Sequence, residues 1–322
     1  MDTGSGPLRG VARAAAGPLG MVLALGALVL FFAVATDNFF TLVNLRTISN
    51  QIPTLLIVGV GMTFVLVAGG IDLSVGSVLA LSSAVLGICM VKTEMPLGIA
   101  MLAALGTGLA CGAVNGFLVA RLRTPSFIVT LGVLEAARGG AYLVTDSQTQ
   151  YIGARIERVA EIGLMGFSLP FAVALAVVIA GHVTLTQTRF GRHLAATGYN
   201  EEVGRLCGIA TRRVQFAVFA LCGALTGLAA IVHTARLSAA DPNAGAGFEL
   251  EAIAAVVIGG TSLAGGRGSV LRTVLGVLII AVLGSGLAQA GAQEPAKRLI
   301  TGMVIVAAVL LDRYRRRKTG DE

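Results

Sequence analysis

Long apolar stretches alternate with short polar connections along almost the whole chain. A helix needs about 20 apolar residues to cross the roughly 30 Å hydrocarbon core of a bilayer. Ten such stretches, several of them shorter than that, lie at 19–36, 52–68, 74–91, 97–119, 126–144, 169–185, 215–235, 250–264, 271–290 and 299–311. Short helices are tolerated where they line a cavity walled by protein. The pattern therefore predicts an all-α polytopic membrane protein with about ten transmembrane helices, some of them broken or re-entrant.

The composition supports this class and excludes others. Of the 322 residues, 55% are hydrophobic and 13% are charged, against about 45–50% and about 25% in soluble domains. A disordered chain, a coiled coil and an ordinary soluble enzyme are excluded. The net charge of +7 is typical of basic cytoplasmic loops, so no nucleic-acid partner is expected. The four cysteines and three histidines show no metal-ligand spacing, and no metal site is predicted.

The distribution of basic residues orients the predicted spans. With the N-terminus inside, 16 of the 24 Lys and Arg residues fall in cytoplasmic tails and loops, seven fall outside, and Arg138 lies within a span. Because cytoplasmic loops carry an excess of Lys and Arg, both termini are predicted to be cytoplasmic.

This orientation divides the chain into two tails and one domain. Residues 1–18 form a cytoplasmic tail, 19–311 the transmembrane domain, and 312–322 a basic cytoplasmic tail. The first apolar stretch could be a signal peptide, because Ala33-Val34-Ala35 resembles a cleavage site. Its apolar run from Leu19 to Ala35 has 17 residues and exceeds the usual 7–15 of such a segment, so we interpret it as a retained span.

Few ionisable side chains lie within the spans, where each costs about 2.5–3.5 kcal/mol. Glu135 and Arg138 are spaced i,i+3 and can neutralise each other. Glu249 and Glu251 open a span, where the helix dipole favours acidic groups. Asp72 follows two glycines and precedes an apolar helix, so it is expected to be an N-cap, the alternative being a residue that lines the pathway. This arrangement leaves no acidic or histidine relay for ion coupling, so a secondary transporter remains only the alternative class.

Signs of catalysis are weak. A phosphate-binding loop needs Gly-Lys followed by Ser or Thr, and the sequence has no Gly-Lys pair, so any ATP must be bound by another chain. Ser285, between two glycines, and His233 suggest an intramembrane serine peptidase as a remote alternative. That chemistry needs the base within hydrogen-bond reach of the serine, and a small-residue helix contact is the simpler interpretation. A transport subunit is favoured over an enzyme.

Glycines mark two further features. They recur every four residues at 108, 112 and 116, and again at 223 and 227, a spacing typical of closely packed membrane helices. A weak internal repeat relates GGIDLS, followed by GSVL, at residue 69 to GGTSLA, followed by GSVL, at residue 259. Repeats are frequent in transporters, although so short a match can arise by chance.

The charged loop 186–214 is the most distinctive segment. Asn200 is a good N-cap for a short helix that runs through Leu206, and Gly208 is a good stop. We expect Gly198 and Gly208 to allow tight turns on either side. The result would be a rigid projection that docks a partner, the alternative being a solvated basic loop.

Three segments together resemble the permease of ribose-type ABC importers, within the branched-chain amino acid/ribose permease superfamily. They are GVGMT through GIDLSVGS at 59–77, RFGR through Gly208-Ile209 at 189–209, and the stretch 235–266, which contains ELEAIAAVVIGGTSLAGG. The chain departs from the family at Glu202-Val203, where Ala-Ala is usual, and at Cys207, where Ser is usual. These changes could tune which ATPase chain docks.

The resemblance implies an importer of a simple sugar in the bacterial inner membrane. Its parts are two permease copies in the lipid bilayer, an ABC ATPase that binds ATP and Mg, and a periplasmic or lipid-anchored sugar-binding protein. No cofactor is bound by this chain, and the resemblance does not say which sugar is carried. It also implies that 198–209 is the coupling helix.

The candidate site residues form three sets. The ATPase-coupling set is Gly191, Arg192, Gly198, Asn200, Glu201, Glu202, Arg205, Gly208 and Ile209. The pathway or family-motif set is Gly70, Asp72, Ser74, Gly76, Asn115, Glu249, Glu251, Gly259, Gly260, Thr261 and Ser262. Other polar residues that could line a path, but that more readily satisfy neighbouring helices, are Asn50, Gln51, Thr63, Thr130 and Gln289.

Overall fold

The structure, a computed structural model, describes residues 18–161, 163–164, 167–293, 295–304 and 306–307. The predicted tails therefore lie almost wholly outside it, as does the end of the last predicted span. The helices are α1 (Pro18–Ala35), α2 (Leu42–Val67), α3 (Val75–Val91), α4 (Leu97–Leu122), α5 (Ser126–Thr145), α6 (Ala154–Glu161), α7 (Leu169–Gln187), α8 (Arg189–Tyr199), α9 (Glu201–Leu206), α10 (Thr211–Leu237), α11 (Phe248–Ile258) and α12 (Val270–Gln289). Residues 295–304 are also helical.

Strand structure in the described part of the chain is limited to two short antiparallel pairs. In the first, β1 (Gln150–Tyr151) pairs with β4 (Ala239–Ala240) and ties two connecting loops together. In the second, β2 (Gly163–Leu164) pairs with β3 (Phe167–Ser168) just before α7. The all-α, polytopic class predicted from the sequence is confirmed.

The spans differ in length. Among the described residues, six helices, α2, α4, α5, α7, α10 and α12, are long and apolar enough to cross a membrane, and α1 and α3 are shorter apolar helices. The predicted span 250–264 is helical only to Ile258. At 1.5 Å per residue, the 11 residues of α11 rise about 16 Å, roughly half of the hydrocarbon thickness. This is a half-length helix of the broken kind predicted for some spans.

Helix α2 forms the centre of the bundle. Every residue from Ile52 to Val67 is buried, as expected of a helix that is apolar on all sides. It packs against α7, α10, α11 and α12. Its C-terminal end therefore lies within the protein, whereas Gly69, in the connection to α3, is exposed.

Helices α4 and α10 make the most extensive contact between two helices of the described chain. A Cβ atom added to Gly108 would fall on the Gly223 carbonyl oxygen, and one added to Gly112 would fall on that of Phe219. Only glycine allows such an approach of two backbones. The glycines spaced four apart thus form a helix–helix seam, as their spacing predicts.

Candidate functional site

The coupling segment, residues 198–209, contains the short helix predicted for it. The Asn200 side-chain oxygen accepts a hydrogen bond from the Val203 amide at 3.0 Å, which caps the start of α9. At the other end, the Gly208 amide donates to the Arg205 carbonyl and the Ile209 amide to the Gly204 carbonyl, both at 3.0 Å. Gly208 has φ +82°, so it occupies the left-handed position that ends a helix of this kind. Its role in coupling stays a prediction.

The rest of the predicted loop 186–214 is mostly helical, which corrects the sequence interpretation. Thr188 caps α8, since its hydroxyl accepts a hydrogen bond from the Gly191 amide at 3.2 Å. Leu194, on the inner face of the same helix, is fully buried. Gly198 lies inside α8 and forms no turn; its missing Cβ leaves room for the Val67 carbonyl oxygen. Gly191 likewise makes room for the Leu185 carbonyl at the corner between α7 and α8.

Apolar side chains point outward from the coupling segment. Tyr199, at the end of α8, and Val203 and Leu206 of α9 are 76%, 53% and 80% exposed. The charged residues were predicted here from the sequence and these three were missed, although Val203 and Leu206, three residues apart on one short helix, were a signal for two of them. Apolar groups held outward on a capped helix are suited to a protein partner.

The charged residues of α9 have different surroundings. Glu202 and Arg205 are exposed and 3.9 Å apart, a separation at which a surface ion pair contributes at most about 1 kcal/mol. Glu201 accepts from the Thr211 hydroxyl and the Gln215 side-chain amide, both at 3.3 Å. Glu201 therefore ties α9 to α10, while Glu202 and Arg205, like the exposed Arg192, remain on the surface.

An open cavity of about 500 Å³ lies beside α9. Its lining includes Glu201, Glu202 and Arg205 and the Gly69–Gly70 turn. The connection 123–126 and residues of α10 complete the lining. The coupling segment and the turn after α2 thus face the same space.

A buried polar cluster, Asp72, Ser74 and Asn115, lies in the connection from α2 to α3 and on α4. Asp72 is 1% exposed, and its Oδ1 accepts from the Ser74 amide at 2.9 Å and the Ser74 hydroxyl at 2.6 Å. Asn115 Nδ2 donates to Ser74 Oγ at 2.9 Å, whereas its buried Oδ1 has no hydrogen-bond partner in the described chain. The cluster lies against the α4–α10 seam, since Gly112 and Gly223 border the same narrow gap.

The expected N-cap role of Asp72 is wrong. The cap position of α3 is Ser74, which makes no side-chain capping bond. Asp72 lies two residues earlier and closes a local turn onto Ser74, a bonding pattern that Asp side chains favour. The carboxylate therefore fixes the shape of the connection.

The expected Glu135–Arg138 pair is also absent among the described side chains. Arg138 Nη1 instead donates to the carbonyls of Pro242 and Ala244, both at 2.8 Å. The Arg138 guanidinium is therefore hydrogen-bonded to two loop carbonyls at the point where α5 meets the connection before α11.

The two remaining acidic candidates, Glu249 and Glu251, lie in different surroundings. A Cβ atom on Gly76 would fall on the Glu249 carboxylate, so Glu249 lies directly beside α3 near the buried polar cluster. Glu251, in contrast, is exposed. The structure thus associates Gly76 and Glu249 with the cluster and leaves Glu251 at the surface.

The two halves of the internal repeat end their first helices in the same way. Gly69 and Gly260 both have φ +79°. The backbone amide of each glycine donates to the carbonyl three residues earlier in the chain, at 2.9 Å for Gly69 and 2.8 Å for Gly260. The amide of the next residue donates to the carbonyl five residues earlier, at 2.9 Å for Gly70 and 3.2 Å for Thr261. Gly69 is therefore equivalent in structure to Gly260, one position later than the Gly259 with which the sequence repeat aligns it. The similarity does not continue further, because Gly76 lies inside α3 whereas Gly268 precedes α12.

The other members of the second motif are buried. Gly259 packs on the Arg272 carbonyl, and Thr261 and Ser262 are 2% and 4% exposed. The Thr261 hydroxyl has no hydrogen-bond partner in the described chain.

Most of the other polar candidates satisfy neighbouring helices. Thr63 bonds to the Gly59 carbonyl at 2.7 Å and to the Thr273 hydroxyl at 2.8 Å, and Thr130 donates to the Ile71 carbonyl at 3.2 Å. Asn50 and Gln51 are exposed on α2.

Asn44 binds Ser285, the serine of the remote peptidase alternative. The Ser285 hydroxyl donates to Asn44 Oδ1 at 2.7 Å, and Gln289 donates to the same atom at 3.4 Å. In the described chain no hydrogen bond joins Ser285 to His233, so the serine lacks the base that acyl transfer requires. It serves as a helix contact.

Comparison with known proteins places these features in a family. A family model described as "Branched-chain amino acid transport system / permease component" matches residues 44–309. The chain is 41% identical to the ribose import permease protein RbsC of Escherichia coli (strain K12) over 297 residues, which cover 90% of this chain and 92% of that protein. It is 34% identical to the fructose import permease protein FrcC of Rhizobium meliloti, with 90% and 83% covered. It is 33% identical to the L-arabinose transport system permease protein AraH of E. coli (strain K12), with 92% and 91% covered. No solved structure matches the chain significantly.

Proposed function

The chain belongs to the family of permease components of branched-chain amino acid transport systems, and we infer from its relatives that it is the permease subunit of an ATP-driven sugar importer. The observation that carries this inference is the similarity over about nine-tenths of the chain to import permeases named for ribose, fructose and L-arabinose. The multi-pass helical bundle supplies the membrane-embedded part that such a subunit needs.

We propose that ATP and Mg are bound by a separate ABC ATPase, which docks on the coupling segment. The support is the rigid, doubly capped α9 with Val203 and Leu206 exposed beside Tyr199. Burying one leucine side chain in a partner's groove contributes about 1.5–3 kcal/mol, or roughly 10- to 150-fold in affinity.

Leucine substitution tests this docking. Leu206→Ser should weaken co-purification of the ATPase by at least about tenfold while the permease still elutes as a folded protein. Leu143→Ser is the matched control, because Leu143 is 81% exposed on α5 and does not belong to the coupling segment. Equal ATPase recovery with both variants would contradict the docking proposal.

We propose a simple sugar as the solute, delivered by a periplasmic or lipid-anchored binding protein to a complex that contains two copies of the permease in the bacterial inner membrane. The family description mentions branched-chain amino acids, whereas the relatives are named for sugars, so the two solute classes must be compared directly. Cells that express the chain with its ATPase and binding protein should accumulate at least one of ribose, fructose and arabinose. The uptake should disappear when the ATPase is inactivated. Accumulation of leucine, isoleucine or valine, with no sugar uptake, would contradict the proposal.

A further inference from the structure

Three chain segments meet through their backbones at the end of α8. The Gly266 amide donates a hydrogen bond to the Val67 carbonyl at 2.9 Å. A Cβ atom on Gly198 would overlap that same carbonyl and lie 2.8 Å from the Gly266 nitrogen. A Cβ atom on Gly265 would lie 2.9 Å from Gly69 Cα. We name Val67, Gly69, Gly198, Gly265 and Gly266 the glycine joint.

The joint is rigid because few side chains lie between its segments. Flexible side chains can change rotamer and absorb a displacement, whereas backbones in van der Waals contact transmit it. The loop that supplies two of the glycines is itself held closed, since the Ser262 amide donates to the Arg267 carbonyl at 2.9 Å. Gly265 and Gly266 have φ +87° and +74°, backbone conformations that glycine adopts without strain.

The position of the joint links the coupling segment, the buried polar cluster and the second glycine motif, which are far apart in the sequence. On one side, Gly198 is two residues from Asn200, the cap of α9. On the second, Gly69 leads within three residues to Asp72 of the buried polar cluster. On the third, Gly265 is three residues from the buried Ser262 of the second motif.

We propose that the glycine joint transmits motion of the coupling segment to the α2–α3 and α11–α12 connections, so that the two turns move together. This inference rests on the proposed function, because it requires an ATPase that moves α9. The competing route runs from α9 to α10 through the short connection 207–210 and through Glu201, whose contacts to Thr211 and Gln215 are 3.3 Å long. Those contacts join side chains at an exposed carboxylate, so they can stretch or break without moving a backbone.

The first test adds one methyl group to the joint. Gly198→Ala is placed in the complete complex of permease, ATPase and binding protein in proteoliposomes. Sugar uptake and ATP hydrolysis are then measured together. We expect the sugar taken up per ATP hydrolysed by the assembled complex to fall by about tenfold or more, because the close contact cannot hold the methyl group. Gly132→Ala on α5 is the matched control, since a Cβ there meets nothing within 4 Å, and its coupling ratio should not change.

The outcomes separate the two claims. If the wild-type complex shows no ATP-driven sugar uptake, the proposed function fails. If the wild type transports and Gly198→Ala has a normal coupling ratio, the proposed function stands and the joint is refuted.

Hydrogen exchange on the wild-type complex provides a test that does not depend on folding of the variant. On binding a non-hydrolysable ATP analogue, segments 66–72 and 259–268 should change protection together with 198–209. A change confined to 198–209 and α10 would refute the joint and favour the route through Glu201.

Discussion

Substitution of Gly208 tests whether the coupling segment acts as a rigid knob. Gly208 has φ +82°, and a Cβ atom at this position would meet nothing within 4 Å. Any effect of Gly208→Val must therefore come from the backbone and not from a clash. A left-handed conformation costs a non-glycine residue about 1–2 kcal/mol, and a β-branched side chain lies at the upper end or beyond.

This conformational free-energy cost falls on α9, a short helix that has little stability of its own. Helix α9 has six residues, far fewer than the 12–15 or so that an isolated helix needs, so it depends on its caps. Gly208→Val endangers the two backbone hydrogen bonds that close its C-terminus. A penalty of about 2 kcal/mol lowers the ordered fraction by up to about 30-fold, and the apparent ATPase affinity falls with that fraction.

A binding titration of the ATPase against the purified permease measures this effect. Gly208→Val should raise the dissociation constant by up to about 30-fold and leave the thermal stability of the bundle unchanged, because Gly208 is exposed. Gly208→Asn is the control, since Asn tolerates the left-handed conformation, and it should bind within about threefold of the wild type. Wild-type affinity and normal transport in the valine variant would refute the coupling-segment assignment.

Three further predictions concern the bundle. Asp72→Asn keeps the oxygen that accepts two hydrogen bonds and should change neither stability nor uptake. Asp72→Ala should lower the free energy of unfolding by about 2 kcal/mol, because buried donors lose their acceptor. Loss of uptake in a normally expressed Asn variant would show that the charge itself is needed. Gly112→Leu should destabilise the α4–α10 seam by about 1–3 kcal/mol or more, whereas Gly106→Leu, where a Cβ meets nothing within 4 Å, should leave the melting temperature unchanged. Topology reporters placed after residue 318 and within 145–168 should lie on opposite sides of the membrane, and signals from the same side would contradict the predicted orientation.

The fold follows closely from hydropathy where a helix is apolar from end to end. The predicted stretches 74–91 and 97–119 correspond to Val75–Val91 and Leu97–Leu122, because a backbone in lipid must satisfy its hydrogen bonds internally. Helix α2 begins ten residues earlier than the apolar stretch predicted at 52–68. Its first ten residues, LVNLRTISNQ, mix apolar and polar side chains and are started by the Thr41 cap, which a count of apolar residues does not detect.

The candidate site is only partly visible in the sequence. Asn200 and Gly208 carry local signals, since capping depends on neighbours a few residues away. Gly198 carries none, because a glycine that admits a distant carbonyl has the same appearance in the sequence as one that forms a turn. The position of Asp72 relative to the cap is likewise decided by tertiary packing, which brings Asn115 of α4 against Ser74.

Energy coupling in a defined system tests the central claim most directly. Proteoliposomes containing the permease and its ATPase, with the binding protein and radiolabelled sugar supplied on the opposite side, allow uptake to be measured with and without ATP. The account predicts sugar uptake that requires ATP on the ATPase side, stops when the ATPase is omitted and is unaffected by a protonophore. Uptake that proceeds without the ATPase and collapses with a protonophore would contradict it and identify an ion-coupled transporter.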